Sequence, residues 1–291
     1  VETFAFNGLP PLSAAIADKT NVSCFGGNNG SATVEASGGA TPYTYLWSNG
    51  QTGQTAINLV AGTYNVTVTG ANGSGTATAS ATITQPTAMT ASATPGGTLT
   101  CSVPTINVTA NAGGGTPPYS YSWANGATGN PAPYSTPGTS SVIVTDNNGC
   151  TKTATFTVNS NTTAPNAVAG PPGTLTCIQS QINLNGAGSS SGPIYTYFWT
   201  ASNGGNIVSG ATTLTPLVNA AGTYTIQVSN SVNGCTSTAS TTVTSNINPP
   251  NASATGGTIT CLVPTVTLMG SSITPGVTYA WTGPGGFNSP L

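Results

Sequence analysis

The chain has 291 residues, of which 37% are hydrophobic and 2% are charged: two are lysine or arginine, four are acidic and none is histidine. An ordinary domain carries about 25% charged residues, so the two cations, Lys19 and Lys152, are too few to bind nucleic-acid phosphates or anionic lipid. Without histidine there is no catalytic triad, imidazole base or usual zinc site, and we expect no enzyme, no cofactor and no metal.

No apolar segment reaches the about 20 residues that a membrane-spanning helix needs. The N-terminal residues do not have the basic and apolar regions of a signal peptide. We therefore expect neither a membrane span nor a visible signal peptide, and nucleic acid is not an expected partner.

Three markers recur along the chain and predict tandem repeats. A cysteine and, 20 to 23 residues later, a tryptophan return every 76 to 84 residues. The segment Ala-Gly-Thr-Tyr begins at Ala61 and again at Ala221. Proline-containing joints then predict the following boundaries: the end of a preceding repeat or a linker at 1–9, repeats at 10–86, 87–163 and 164–248, and an incomplete repeat at 249–291.

Each repeat is predicted to be all-β. Apolar and polar residues alternate strictly at 64–69, 153–158 and 223–228, which is typical of half-buried strands. Asn-Gly pairs, which favour tight hairpins, follow two strands of each complete repeat. Units of this length with a central tryptophan indicate immunoglobulin-like sandwiches in an extended array. The predicted core residues are Trp47, Trp123, Trp199, Trp281, Tyr64 and Tyr224.

The aromatic residues that precede each tryptophan allow two interpretations. Tyr43, Tyr45 and Trp47 share one face of a strand, and such a stripe is suited either to core packing or to stacking against a sugar. Because the stripe includes the expected core tryptophan, we interpret it as core. Phe198 lies on the opposite face of its strand and is the better candidate for an exposed aromatic.

The acidic residues offer two weak candidate sites. Asp146-Asn-Asn-Gly149 resembles the start of a calcium loop, but no further carboxylates follow, which favours a hairpin turn. Asp18 and Glu35 lie in one repeat and are the only candidates for a glycosidase pair. We interpret them as isolated surface charges.

The cysteines predict a disulfide framework, because repeat logic narrows the 15 pairings that six cysteines allow. We expect Cys101–Cys150 and Cys177–Cys235, each within one repeat, and a partner for Cys261 beyond Leu291. Cys24 is expected to be unpaired, since Ser74 takes the place of Cys150 in the first repeat. It is then either a buried inert thiol or an interchain link. Paired cysteines indicate an oxidising, extracellular environment.

Four segments of the first repeat carry a family resemblance: 20–34 (TNVSCFGGNNGSATV), 38–50 (GGATPYTYLWSNG), 59–68 (LVAGTYNVTV) and 83–86 (ITQP). They resemble the SprB repeat of gliding-motility adhesins of the Bacteroidota, over about residues 12–86. The later repeats are similar to the related Ig-like and PKD-like repeats. The resemblance implies a very long cell-surface or secreted protein, exported by the type IX secretion system, with no catalytic residues.

The predicted function is that of a structural or adhesive segment of an extracellular filament, a disulfide-stabilised stalk that presents loops. One alternative is a fibre-forming subunit assembled by strand exchange between chains. Another is a carbohydrate-binding repeat module. The expected partners are accordingly surface glycans or other copies of the chain, and the scarcity of charge favours lateral packing.

Overall fold

A computed structural model describes residues 8–290 of the chain. These residues form short β-strands and two single-turn 3₁₀ helices, Ala71–Gly73 and Pro284–Gly286, and the described part contains no α-helix. The chain divides into two compact units, Val1–Thr162 and Thr163–Leu291. Apart from Gly8 and Leu9, the segment predicted at 1–9 lies outside the described residues.

The first sandwich occupies the N-terminal part of the first unit. Its strands are β1 (Ser13–Thr20), β2 (Gly30–Ser37), β3 (Thr44–Trp47), β4 (Thr55–Leu59), β5 (Gly62–Thr69) and β6 (Thr76–Ile83). They form two antiparallel sheets with the orders β1-β2-β4 and β3-β5-β6. Side chains alternate across each strand, so β5 buries Val66 and Val68 between the sheets and turns Asn65 and Thr69 to solvent.

The second sandwich completes the first unit. Its strands are β7 (Thr90–Pro95), β8 (Leu99–Thr100), β9 (Ile106–Gly113), β10 (Ser120–Trp123), β11 (Ala132–Tyr134), β12 (Gly138–Thr145), β13 (Thr151–Val158) and β14 (Ser160–Asn161). The sheet orders are β11-β9-β7 and β10-β12-β13, and β14 pairs with β8 in parallel. Trp123 lies edge-on to Tyr134 and Phe156, with ring centroids 6.0 and 5.7 Å away, an arrangement that the aromatic quadrupole favours.

The third sandwich begins the second unit. Its strands are β15 (Gly173–Thr176), β16 (Ile182–Asn183), β17 (Tyr195–Ser202), β18 (Ile207–Ser209), β19 (Leu217–Val218), β20 (Gly222–Asn230) and β21 (Thr236–Asn246). One sheet has the order β15-β21-β20-β17, and the other has the order β16-β19-β18. In the turn that follows β17, Asn203 and Gly204 have φ values of 52° and 88°, the positive values for which the Asn-Gly pair is suited.

The last described segment forms two separate strand pairs. These are β22 (Ser253–Thr255) with β23 (Met269–Ser271), and β24 (Ala280–Gly283) with β25 (Phe287–Pro290). Trp281 lies against Gly270 but is only half-buried and belongs to none of the three hydrophobic clusters of the earlier sandwiches. Its prediction as a core residue is wrong here, because the strand pair that contains Gly270 covers its ring only in part.

The other predicted core side chains differ in how deeply they are buried. Trp47, Trp123 and Trp199 are buried, and each indole N–H donates to a backbone carbonyl. Tyr224 is fully buried, and its hydroxyl donates to the Ala220 carbonyl at 2.6 Å, the geometry of a tyrosine corner. Tyr64 makes the equivalent bond to Val60 at 3.1 Å but is only half-buried. It packs against the first cluster from its edge rather than lying inside it.

Candidate functional site: a disulfide junction between two sandwiches

The first two sandwiches are joined covalently by a disulfide between Cys24 and Cys150. Cys24 lies in the loop between β1 and β2 of the first sandwich, and Cys150 directly precedes β13 of the second. The S–S distance is 1.99 Å, the Cα–Cα distance is 5.8 Å and the sequence separation is 126 residues. The predictions that Cys24 is unpaired and that Cys150 bonds Cys101 are therefore wrong.

The turn that carries Cys150 is held by the carboxylate of Asp146. This side chain is 5% exposed and accepts hydrogen bonds from the backbone N–H groups of Thr116 at 2.8 Å and of Asn148 and Cys150 at 2.9 Å each. Of the two interpretations of this segment, the structure shows the hairpin turn. The carboxylate fixes Cys150 in place for the bond.

Two opposing effects act on the pKa of Asp146. Burial of the carboxyl raises the pKa, but the backbone N–H groups of Thr116, Cys150, Asn148 and Gly149 stabilise the charged form and outweigh burial. The pKa is consequently lowered from its ordinary value of 3.8. The turn is therefore built around an ionised carboxylate at neutral pH.

The junction also has a polar contact beside the disulfide. The Asn148 amide donates to the Ser23 carbonyl of the first sandwich at 3.0 Å and to the Thr116 hydroxyl at 3.1 Å. Asn29 holds the Ser23 loop in turn, because its Oδ1 accepts from the Ser23 N–H at 3.0 Å and its Nδ2 donates to the Ser23 hydroxyl at 2.8 Å. Both partners of the contact are thus held in place within their own sandwich.

An open cleft of about 580 Å³ lies next to the disulfide. It is lined by Phe25 of the first sandwich and by Met89 and Lys152 of the second, among others. Phe25 is 58% exposed, so the cleft is shallow on its apolar side. The lining contains one cation and no carboxylate, and the residues that form it are those of the junction itself.

The turn before the last long strand, which carries Cys150 in the second sandwich (the turn cysteine), can be compared between sandwiches. In each sandwich the backbone carbonyl of the residue before that strand accepts a hydrogen bond that closes the turn. The bonds are Gly70 N–H to Gly75 O, Asp146 N–H to Cys150 O and Asn230 N–H to Cys235 O. Gly75, rather than the predicted Ser74, is therefore the counterpart of Cys150. Ser74 instead accepts a hydrogen bond from the Ala40 N–H through its hydroxyl, as Asp146 does from Thr116.

The remaining cysteines also depart from the predicted pairing. Cys101 and Cys235 are disulfide-bonded, whereas Cys177 and Cys261 are free and exposed. The predicted Cys177–Cys235 bond is therefore wrong. The repeats alone could not distinguish a bond within one repeat from a bond to the next, since either kind of bond would recur with the period of the repeats. The available signal was the first repeat itself, which has an early cysteine and no turn cysteine.

The other candidate residues do not converge on a catalytic or binding centre. Asp18 and Glu35 are exposed on neighbouring strands, and Glu2 lies outside the described residues. Within residues 8–290 no group of three or more cysteine or acidic residues is arranged to hold a metal ion. Across the same residues, no helix is long and apolar enough to cross a membrane.

The aromatic stripe of the first sandwich belongs to the core. Tyr43 and Tyr45 pack against the cluster around Trp47, and the Tyr43 hydroxyl donates to the Gly38 carbonyl at 2.6 Å. Phe198 is 53% exposed on β17, opposite Gln227 of the neighbouring strand.

Comparison with known proteins supports the resemblance found in the sequence. Residues 16–52 and 105–128 match the SprB repeat, and residues 163–249 match the Ig-like domain described as CHU_C associated. The SprB match thus extends into the second repeat. These matches and the two-sheet cores confirm the resemblance to SprB-type and Ig-like repeats and the all-β, immunoglobulin-like fold. No curated protein is significantly similar to the chain.

Solved structures with tandem domains are similar only distantly. The three N-terminal domains of the Highly Immunogenic Outer Capsid protein of bacteriophage RB49 are 14% identical, with 81% of this chain and 99% of that chain covered and a TM-score of 0.37. Drosophila N-cadherin EC1-4 is 11% identical, with 80% and 77% covered and a TM-score of 0.26. Similarity at this level carries no argument about function.

Proposed function

We propose that the chain is a structural and adhesive segment of an extracellular cell-surface filament, in which disulfides couple consecutive Ig-like sandwiches into a stalk. The SprB matches support a place among the gliding-motility adhesins of the Bacteroidota and export by the type IX system. The disulfides support an oxidising, extracellular location. The SprB and Ig-like repeats are adhesion-type modules without catalytic residues, and the proposed role is mechanical.

The Cys24–Cys150 bond is the observation on which this proposal rests. A pulling force that enters the first unit at one end passes through the bond to the other end, because the bond bridges two points only 5.8 Å apart. The segment between the two cysteines is thereby removed from the path of the force. A stalk whose length must stay constant under load requires this property.

The bypassed segment contains most of both hydrophobic cores. In the first sandwich, every buried core residue except Val22 lies between Cys24 and Cys150. In the second, only Ala154, Phe156 and Val158 lie beyond it. Closing a loop of this length also removes conformational entropy from the unfolded chain, which is worth about 5 kcal/mol in the chain-entropy model. The bond therefore protects the unit against both force and heat.

Surface labelling and adhesion measurements test the proposal. Antibodies raised against residues 8–162 should label filaments on intact, non-permeabilised cells, and their Fab fragments should reduce attachment of the cells to a surface. Fab fragments against an unrelated surface protein serve as the control. Labelling that requires permeabilisation, or protein recovered from the cytoplasm with all six cysteines reduced, would contradict the proposal.

Strand exchange between chains remains the second candidate. Several apolar residues of the last segment are exposed, including Leu268 at 56% and Met269 at 67%, and Trp281 is half-buried where its counterparts are buried. An added strand or sheet would cover them. Analytical ultracentrifugation tests this candidate: it predicts assembly that increases with concentration and is lost when Leu268 and Met269 are replaced by serine, while a monomer at all concentrations opposes it.

A further inference from the structure

Three turns along the chain present a cysteine in the same way. Each has a threonine, then the cysteine, then a residue two positions later whose backbone N–H donates to the threonine hydroxyl. The bonds are Val103 to Thr100 at 2.9 Å, Gln179 to Thr176 at 3.0 Å and Val263 to Thr260 at 3.1 Å. Cys101, Cys177 and Cys261 therefore occupy equivalent, exposed positions. Cys24 is their counterpart in the first repeat.

The equivalent cysteines differ in their bonding state. Cys101 is disulfide-bonded, and Cys24 is bonded to the turn cysteine of the following sandwich, Cys150. Cys177 and Cys261 instead carry free thiols on the surface. A position that forms a disulfide in two repeats of the chain is thus available in the other two.

The residue after each free thiol provides an independent observation. Ile178 is 100% exposed and Leu262 is 93% exposed. Burying an aliphatic side chain of this size is worth about 1.5–3 kcal/mol, so a partner that covers this side chain together with the thiol gains up to this energy. Each free thiol therefore lies beside an aliphatic side chain that is left almost fully exposed by the described residues.

We propose that Cys177 and Cys261 are covalent attachment sites for the turn cysteine of a further Ig-like sandwich. The partner cysteine belongs to an Asn-Gly-Cys-Thr segment like the one at 148–151, which recurs at 233–236. The observed junction shows why this partner fits: the asparagine of the segment reaches the carbonyl before the first cysteine, as Asn148 reaches Ser23. The two disulfides would repeat the connection from one sandwich to the next.

Bond formation requires an oxidant, and the proposed oxidant is a small-molecule or enzyme disulfide of the extracytoplasmic space. The thiolate of Cys177 attacks one sulfur of that disulfide, forms a mixed disulfide and releases one thiol. The turn cysteine of the incoming sandwich then attacks the Cys177 sulfur and releases the second thiol. Two protein thiols are oxidised by two electrons and the oxidant disulfide is reduced to two thiols.

Mapping of the native bonds tests the proposal. The protein is isolated from its cells in excess N-ethylmaleimide without reduction, digested and analysed by mass spectrometry. We expect the peptides of Cys177 and Cys261 to be recovered linked to peptides with the Asn-Gly-Cys-Thr segment. Recovery of either cysteine as an alkylated free thiol, as a glutathione adduct or as a Cys177–Cys261 pair would overturn the assignment for that site.

Thiol titration of the folded 291-residue chain provides the second measurement. Ellman's reagent should react with two thiols per chain in the wild type, one in Cys177→Ser and none in the Cys177→Ser, Cys261→Ser double variant. A wild-type chain with no reactive thiols would overturn the proposal, since an attachment site must be accessible. The inference is independent of the proposed stalk: a filament found on the cell surface with both thiols free would refute the attachment sites alone.

Discussion

Removing the Cys24–Cys150 bond should lengthen the first unit under force by an amount that the structure specifies. In the folded unit the two Cα atoms are 5.8 Å apart, although 126 residues separate them in sequence. A fully extended chain spans at most about 3.3–3.6 Å per residue. Breaking the bond and unfolding both sandwiches should therefore release roughly 410–450 Å of additional contour length.

Single-molecule force spectroscopy measures this length directly. The chain is held by its two ends, and Cys235, which is also disulfide-bonded, is replaced by serine in every sample so that only the Cys24–Cys150 bond is compared. The Cys235→Ser chain is compared with the same chain carrying Cys24→Ser and Cys150→Ser, and with itself in a reducing agent. We expect the additional length in both of the latter and not in the oxidised Cys235→Ser chain. Cys261→Ser, which removes an exposed free thiol, is the matched control and should leave the extension of the oxidised Cys235→Ser chain unchanged.

The same measurement distinguishes the two pairings of Cys150. A bond between Cys150 and Cys101, which are 49 residues apart in sequence, would prevent only about 160–180 Å of contour length from extending. The first sandwich would then unfold and extend in full. An additional length in that range would refute the junction. So would identical extensions of the oxidised Cys235→Ser chain and of the variant that also lacks Cys24 and Cys150.

Three further predictions concern single side chains. Because the pKa of Asp146 is lowered in the folded chain, the contribution of this carboxylate to stability is present above the unfolded pKa of about 3.8 and is lost as the pH falls through the lower folded pKa. Thermal melting between pH 2 and 6 should therefore show a smaller loss of stability at acid pH in Asp146→Asn than in wild type, and identical pH profiles would contradict this prediction. Tyr224→Phe should cost about 1–3 kcal/mol in chemical denaturation, since it removes from a fully buried side chain the hydroxyl that bonds the Ala220 carbonyl and the Asn206 N–H. Tyr64→Phe at its half-buried position should cost less than about 1 kcal/mol, and equal costs would refute the difference in burial. Phe198→Ser should change stability by less than about 0.5 kcal/mol, and loss of binding on a glycan array in this variant would favour the carbohydrate-binding alternative.

Much of the fold could be predicted from the sequence because the decisive signals are local. Alternation of apolar and threonine residues specifies which face of β5 or β20 is buried, and it does so without knowledge of the partner strand. The recurrence of Trp47, Trp123 and Trp199 located the three cores for the same reason. The Asn-Gly turns are also local, since their φ requirements involve only the two residues.

Other properties depend on what approaches a residue in space, and the sequence does not contain that information. Trp281 has the same strand context as Trp47, but the second strand pair covers it only in part, so its exposure is decided by packing. Asp146 organises its turn through the N–H of Thr116, 30 residues away. The pairing of Cys24 with Cys150 depends on where one sandwich places its loop against the next. The periodic recurrence of the cysteines is compatible with bonds within repeats and with bonds between repeats, and the position of the neighbouring sandwich decides which of the two forms.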